Sequence, residues 1–179
     1  MRRTWVSSAG GPLLVAPRSV VSLWKGVTDD DGPVEAQGDH GVACSADGYI
    51  GLVPIGELHG LVLGDDPAMT TYLPAERLFL RWSAADDEDE LMSAAHEALR
   101  TGVEWDEDED LVWSVDGPVV LFDAAWPGAE LAADNHLVVD LQPGRYRVRA
   151  TYREDGDNWM ILVQLQPTPE GGYTVAPVG

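Results

Sequence analysis

One cysteine, Cys44, is the whole thiol content of this 179-residue chain. An internal disulfide is excluded for want of a second sulfur, and so is a thiolate zinc cluster. Cations are scarce as well. Eleven Lys and Arg stand against 31 Asp and Glu, which leaves a net charge of −20. Nucleic acid and anionic membrane surfaces repel such a chain, so neither is an expected partner. Long apolar runs are also missing. Behind Arg2-Arg3, the stretch Ser7 to Gly11 is small and polar. Neither a signal peptide nor a membrane span is expected, and the chain is expected in the cytoplasm.

The residue patterns of catalysis and of metal binding are missing too. His40, His59, His96 and His136 are scattered, with no two at ligand spacing on one element. The acidic runs Asp29-Asp30-Asp31 and Asp106 to Asp110 lack the spacing of an EF-hand calcium loop, with its glycine and terminal glutamate. Gly10-Gly11 is no phosphate loop, and no Gly-x-Ser-x-Gly elbow occurs. Cys44 stands near His40 and Asp39, but a nucleophile needs a base and an orienting group in contact, and closeness in sequence does not supply that. A structural thiol, no enzymatic activity and no cofactor are expected.

What is present reads as short strands punctuated by turns. Glycine (19) and proline (12) make up 31 of 179 residues, against a common background of roughly 12%. Between them lie apolar runs at Leu13–Val15, Tyr49–Ile55, Leu58–Leu63, Leu78–Trp82, Val119–Phe122 and His136–Leu141. From Arg145 to Tyr152 the residues alternate, with Tyr146, Val148, Ala150 and Tyr152 on one face and Arg145, Arg147, Arg149 and Thr151 on the other. That is the period of a half-buried strand. With Trp159–Leu165 returning after a turn at Glu154–Asn158, it predicts a hairpin. One helix is predicted over about 84–100, capped by Ser83, with Asp86 to Glu90 at its positive end and Leu91, Ala95, Ala98 and Leu99 as its apolar stripe. A helical turn is predicted at Arg18–Trp24, an exposed loop over Thr28–His40, and a short edge strand at Tyr173–Val175. The expected class is α+β, strand-dominated, in one domain over residues 1–179.

The two halves resemble each other. Ser8 to Val15 and Ser114 to Leu121 both carry a Gly-Pro before an apolar run, each with a Trp upstream, Trp5 or Trp113. Each is followed by a Tyr-led strand, at Gly48-Tyr49-Ile50 and Gly144-Arg145-Tyr146, and then by an apolar strand, Leu61–Leu63 or Ile161–Val163. Two related β units, 4–82 and 111–166, joined by the helix, would explain this; ordinary turn chemistry before buried strands would explain it equally.

Several of these segments, taken in order, resemble the bacterial immunity protein 21 family. They are Trp5 to Val15, Ala43-Cys44, Leu61 to Pro67 with Thr70-Thr71, Arg81-Trp82, Leu121 to Gly128, and Pro143 to Tyr146. The resemblance runs from about residue 4 to 166. It implies an antidote of a polymorphic toxin system, which neutralises its cognate toxin by binding. The acidity suits a basic toxin domain such as a nuclease, whose active site an acidic face would occlude. The candidate contact residues are Asp65 and Asp66 in a turn, and Asp106, Glu107, Asp108, Glu109 and Asp110, with Trp105 as an apolar anchor. A β-sandwich module for a small ligand or glycan is the competing expectation; it would need an apolar or aromatic pocket.

Overall fold

In the computed structural model, residues 3–28 and 38–169 are described. The strand expected at Tyr173–Val175 and the Asp29–Asp31 run lie outside them. Among the described residues ten strands form two antiparallel sheets. The strands are β1 (Leu13–Pro17), β2 (Ile50–Ile55), β3 (Leu58–Leu63), β4 (Met69–Leu73), β5 (Leu78–Ala84), β6 (Asp110–Val115), β7 (Val119–Asp123), β8 (His136–Val139), β9 (Gly144–Asp155) and β10 (Asn158–Pro167). One sheet has the order β2-β3-β1-β7-β8, the other β4-β5-β10-β9-β6. The helices are α1 (Gly38–Cys44) and α2 (Glu88–Thr101), with a 3-10 turn at Val21–Leu23 inside the segment where a helical turn was expected.

The two sheets pack face to face, and each is covered again on its outside. Leu13, Val15, Leu61, Leu63 and Leu121 of the first sheet meet Phe79, Trp113, Val148, Ile161 and Val163 of the second. On the outer face of the first sheet, Leu14, Ala16, Val62, Val120 and Phe122 lie under Trp24 and Ala43 of α1. Leu78, Leu80, Met160 and Leu162 of the second lie under Leu91, Ala95 and Ala98 of α2. This layering explains two sequence patterns. β1 and β7 sit centrally, are buried at every position and read as continuous apolar runs. β9, whose outer face is left uncovered by α2 over most of its length, alternates.

The turns follow residue chemistry. Gly56-Glu57 and Gly156-Asp157 close two-residue hairpins, and both glycines take positive φ, 60° and 59°. The helix boundary differs from expectation. Ser83 and Ala84 belong to β5, which goes on to pair Ala84 with Trp159 across a shift in register. α2 therefore starts later, at Glu88. Its cap is Asp87, whose carboxylate accepts from Glu90 N at 2.8 Å. α1 corrects the loop expected over Thr28–His40 at its end, where Gly38 to His40 are already helical.

The halves interlock. Residues 4–82 supply β1 to β4 and most of β5, and the segment that follows α2 supplies β6 to β10, so each half builds part of both sheets. β1 lies antiparallel beside β7 at the centre of one sheet, and β5 beside β10 at the centre of the other. The expected match of the Tyr49 strand with the Tyr146 strand does not follow this arrangement. β2 lies in the first sheet and β9 in the second; the strands placed like β10 and β9 are β5 and β4. A glycine and a tyrosine at a strand start reflect local turn chemistry, whereas sheet membership is set by which faces must be buried.

Candidate functional site

The candidate residues gather at one end of the sandwich. There β3 hands over to β4 through Gly64–Pro67, β2 and β6 begin, and the β9–β10 hairpin turns. At the centre is Arg81 of β5. Its side chain is fully buried, at 0% exposure, in the middle of an otherwise apolar strand. Its guanidinium donates to the backbone carbonyls of Gly64 at 2.6 Å, Leu63 at 3.3 Å and Asp66 at 2.5 Å. Burial pulls its pKa down to about 10, against the opposing pull of Asp66 and Asp65. The turn is thus wrapped around an internal cation. Asp65 is exposed and sits at φ 70°, a left-handed conformation that aspartate tolerates better than most residues. Three carbonyl contacts to one rigid guanidinium hold it there.

The second acidic segment approaches the same place. Glu109 accepts from the backbone N–H groups of Tyr49 at 2.9 Å and Ile50 at 3.1 Å, tying the start of β2 to the start of β6 across the two sheets. Gly48, at φ 81°, is required there, because a side chain at that position would run into the Glu109 carboxylate. Asp106 accepts from the Thr151 hydroxyl at 2.8 Å. Asp110 pairs with Arg147 through two-nitrogen contacts, which hold its carboxyl below the usual range. Glu107 and Asp108 are exposed and have no hydrogen bond or ion pair among the described residues. The two acidic segments meet electrically at Tyr49. Burial raises its phenol pKa, and the charges of Asp65, Asp106 and Glu109 raise it further. The sequence marked Tyr49 only as the lead of a strand and Arg81 only within the Arg81-Trp82 pair of the family resemblance; neither carried a site role, and an arginine inside an apolar strand run was the available signal for the latter.

Trp105 is half-buried. It packs against the α2 core, and the Arg149 guanidinium lies 4.9 Å from its ring centroid. The expected anchor therefore already has an internal cationic partner. Asp86 to Glu90 stand at the start of α2, and a cleft of about 490 Å³ joins Asp87, Asp89 and Glu90 to Asp155 and Asn158 of the hairpin. The negative charge of this end thus extends from the Asp65 turn to the helix.

Cys44 and His40 sit one turn apart on α1, with Sγ 3.5 Å from Nε2. This contact was not visible in the sequence. Burial and the nearby Asp123 charge push the thiol pKa up, which keeps Cys44 in the protonated, weakly nucleophilic form. A cleft of about 350 Å³ beside it is lined by Gly10, Asp47, Asp65 and Asp66 and by no aromatic residue. Among the described residues no three His, Cys, Asp or Glu side chains group as a metal site, and no helix is long and apolar enough to cross a membrane.

The acidic segments and turns of this end stand on a rigid β scaffold, the usual place for contact loops. The comparison with family models makes this specific. The model for immunity protein 21 matches residues 4–158, and the chain belongs to that family, whose members are the immunity proteins of toxin systems. No significant match was found among curated proteins or among solved structures.

Proposed function

We propose that this protein acts in the cytoplasm as the antidote of a polymorphic toxin system, binding a basic toxin domain through its acidic end and occluding the toxin's active site. The supporting observation is the convergence of Asp65, Asp66 and the Asp106–Asp110 segment on one end of a chain of net charge −20. A nuclease is the toxin class that fits this best, because its cleft must be cationic to hold phosphate. The same charge disfavours nucleic acid and membranes as partners of the antidote. Inhibition is by occupancy alone. The Cys44–His40 pair has a thiol pushed away from reactivity, and no chemical step is assigned to it.

Within the acidic end, Asp65, Glu107 and Asp108 are the side chains most available to a partner. Asp106, Glu109 and Asp110 divide their charge between the surface and internal bonds, and Trp105 contributes only the part of its ring that Arg149 leaves open. The test is protection from toxicity. The cognate toxin domain is expressed in a sensitive bacterium together with wild-type protein or with Asp65→Asn, Asp66→Asn, Glu107→Gln and Asp108→Asn combined. Wild type restores growth and the combined variant, if folded, does not. Full protection by the folded variant refutes the acidic end as the contact surface.

A further inference from the structure

The β9–β10 hairpin extends the core-facing side of its sheet past the end of the opposing sheet. Tyr146, Val148 and Ala150 on β9, and Ile161, Val163 and Leu165 on β10, face the inter-sheet core. The register continues that face outward, with Tyr152 opposite Ile161 and Glu154 opposite Trp159. The other sheet stops at the Ile50–Leu63 pair. Residues built on the core pattern therefore emerge into solvent: Tyr152 is 36% and Trp159 43% exposed. Diagonal neighbours across an antiparallel pair stand about 7–8 Å apart, so both rings belong to one surface.

These rings are held in place. The Tyr152 hydroxyl donates to Glu154 Oε1 at 2.9 Å, and the Trp159 indole N–H donates to Gly156 O at 3.2 Å. Acidic groups frame them. Glu154, Asp155 and Asp157 lie in the hairpin; burial and the bond to Glu154 raise the Tyr152 phenol pKa, and the charge of Asp66 reaches it as well. Trp105, by contrast, already carries the guanidinium of Arg149. Fixed aromatic faces beside carboxylates attract cations, and tryptophan and tyrosine at such positions dominate protein interfaces.

We propose that Tyr152 and Trp159 form a docking platform for a basic protein partner, receiving an arginine or lysine side chain between these rings and the carboxylates of Asp66 and Glu154. The partner's chemistry rests on the toxin-binding reading, whereas the platform can be tested without the toxin. The probe is a capped pentapeptide containing two arginines, titrated into ¹⁵N-labelled full-length protein in physiological salt, with the neutral citrulline peptide as control. The Trp159 indole resonance and the Tyr152 and Asp66 amides shift with the arginine peptide and stay still with the citrulline one. Combining Tyr152→Ala and Trp159→Ala weakens peptide binding at least about tenfold while the β-sheet amide pattern is kept; Asp86→Asn leaves it unchanged. Equal response to citrulline, larger shifts at Asp86–Glu90 than at the hairpin, or concentration-dependent broadening without peptide (a second copy on the platform) each overturn the proposal. If the peptide binds the platform and no basic toxin domain binds the protein at all, the toxin reading fails and the platform stands. If the toxin is neutralised but the peptide ignores the hairpin, the reverse holds.

Discussion

Replacing Arg81 with methionine removes the group around which the Asp65–Asp66 turn is built. Three backbone carbonyls, those of Leu63, Gly64 and Asp66, each lose a charged donor, while Gly64 O and Asp66 O keep the bonds they accept from the Asp66 and Ala68 amides. A hydrogen bond from a charged group contributes about 1.5–3 kcal/mol, so the loss totals about 4–9 kcal/mol. Against it stands the cost of burying the charge. A pKa held at about 10 rather than 12.5 corresponds to about 3 kcal/mol, which the methionine variant regains. The net is a destabilisation of about 1–6 kcal/mol, with the effect centred on the turn. Urea unfolding gives the global value. Hydrogen exchange at the Asp66 and Ala68 amides, which donate to Gly64 O and Asp66 O, gives the local one. Both amides should lose protection beyond the global change, because Asp65 has no other reason to keep its positive φ. A methionine variant as stable as wild type, with those amides equally protected, would refute the idea that Arg81 organises the acidic end.

Glu109→Ala should cost about 1.5–3 kcal/mol through loss of the charge-assisted bonds to the Tyr49 and Ile50 amides, read by urea unfolding; a cost near zero would mean those bonds are not formed in solution. Cys44→Ser should leave toxin protection intact, and the wild-type thiol should react with iodoacetamide more slowly than a free peptide thiol at neutral pH; fast alkylation would contradict its raised pKa. Burial pushes the Tyr72 phenol up to about 12, above its unfolded value of 10. A raised folded-state pKa stabilises the fold fully below pH 10 and progressively less as pH rises to about 12. Stability measured across that window should fall, and Tyr72→Phe should reduce the slope; an unchanged slope would assign the effect to other groups.

Where one physical pattern dominates, the sequence was readable. The alternation from Arg145 to Tyr152 and the return at Trp159–Leu165 became β9 and β10, and the Leu91, Ala95, Ala98 stripe became the buried face of α2. α1 was not readable, since Gly38 and Gly41 are poor helix formers. Its Ala43 packs into the layer around Trp24, and that contact is visible only in three dimensions. The start of α2 was misplaced because Ser83 and Asp86 imitate a cap, while cross-strand pairing with β10 keeps the chain extended through Ala84. At the candidate site, composition pointed to acidic segments as such. It could not reveal that Glu109 is anchored on residues sixty positions earlier, that Arg149 covers Trp105, or that the core pattern of β9 and β10 runs past the opposing sheet and leaves Tyr152 and Trp159 in solvent.

The central claim, that the acidic end steers and holds a basic toxin, is tested most directly by the association rate constant with the cognate toxin domain as a function of salt. The screening length falls from about 30 Å at 0.01 M to about 8 Å at 0.15 M. The rate for wild type should therefore drop at least about tenfold across that range. The variant with Asp65, Asp66, Glu107 and Asp108 neutralised should start lower and vary less. A wild-type rate independent of salt, or a variant whose rates match wild type at every salt concentration, would contradict the account.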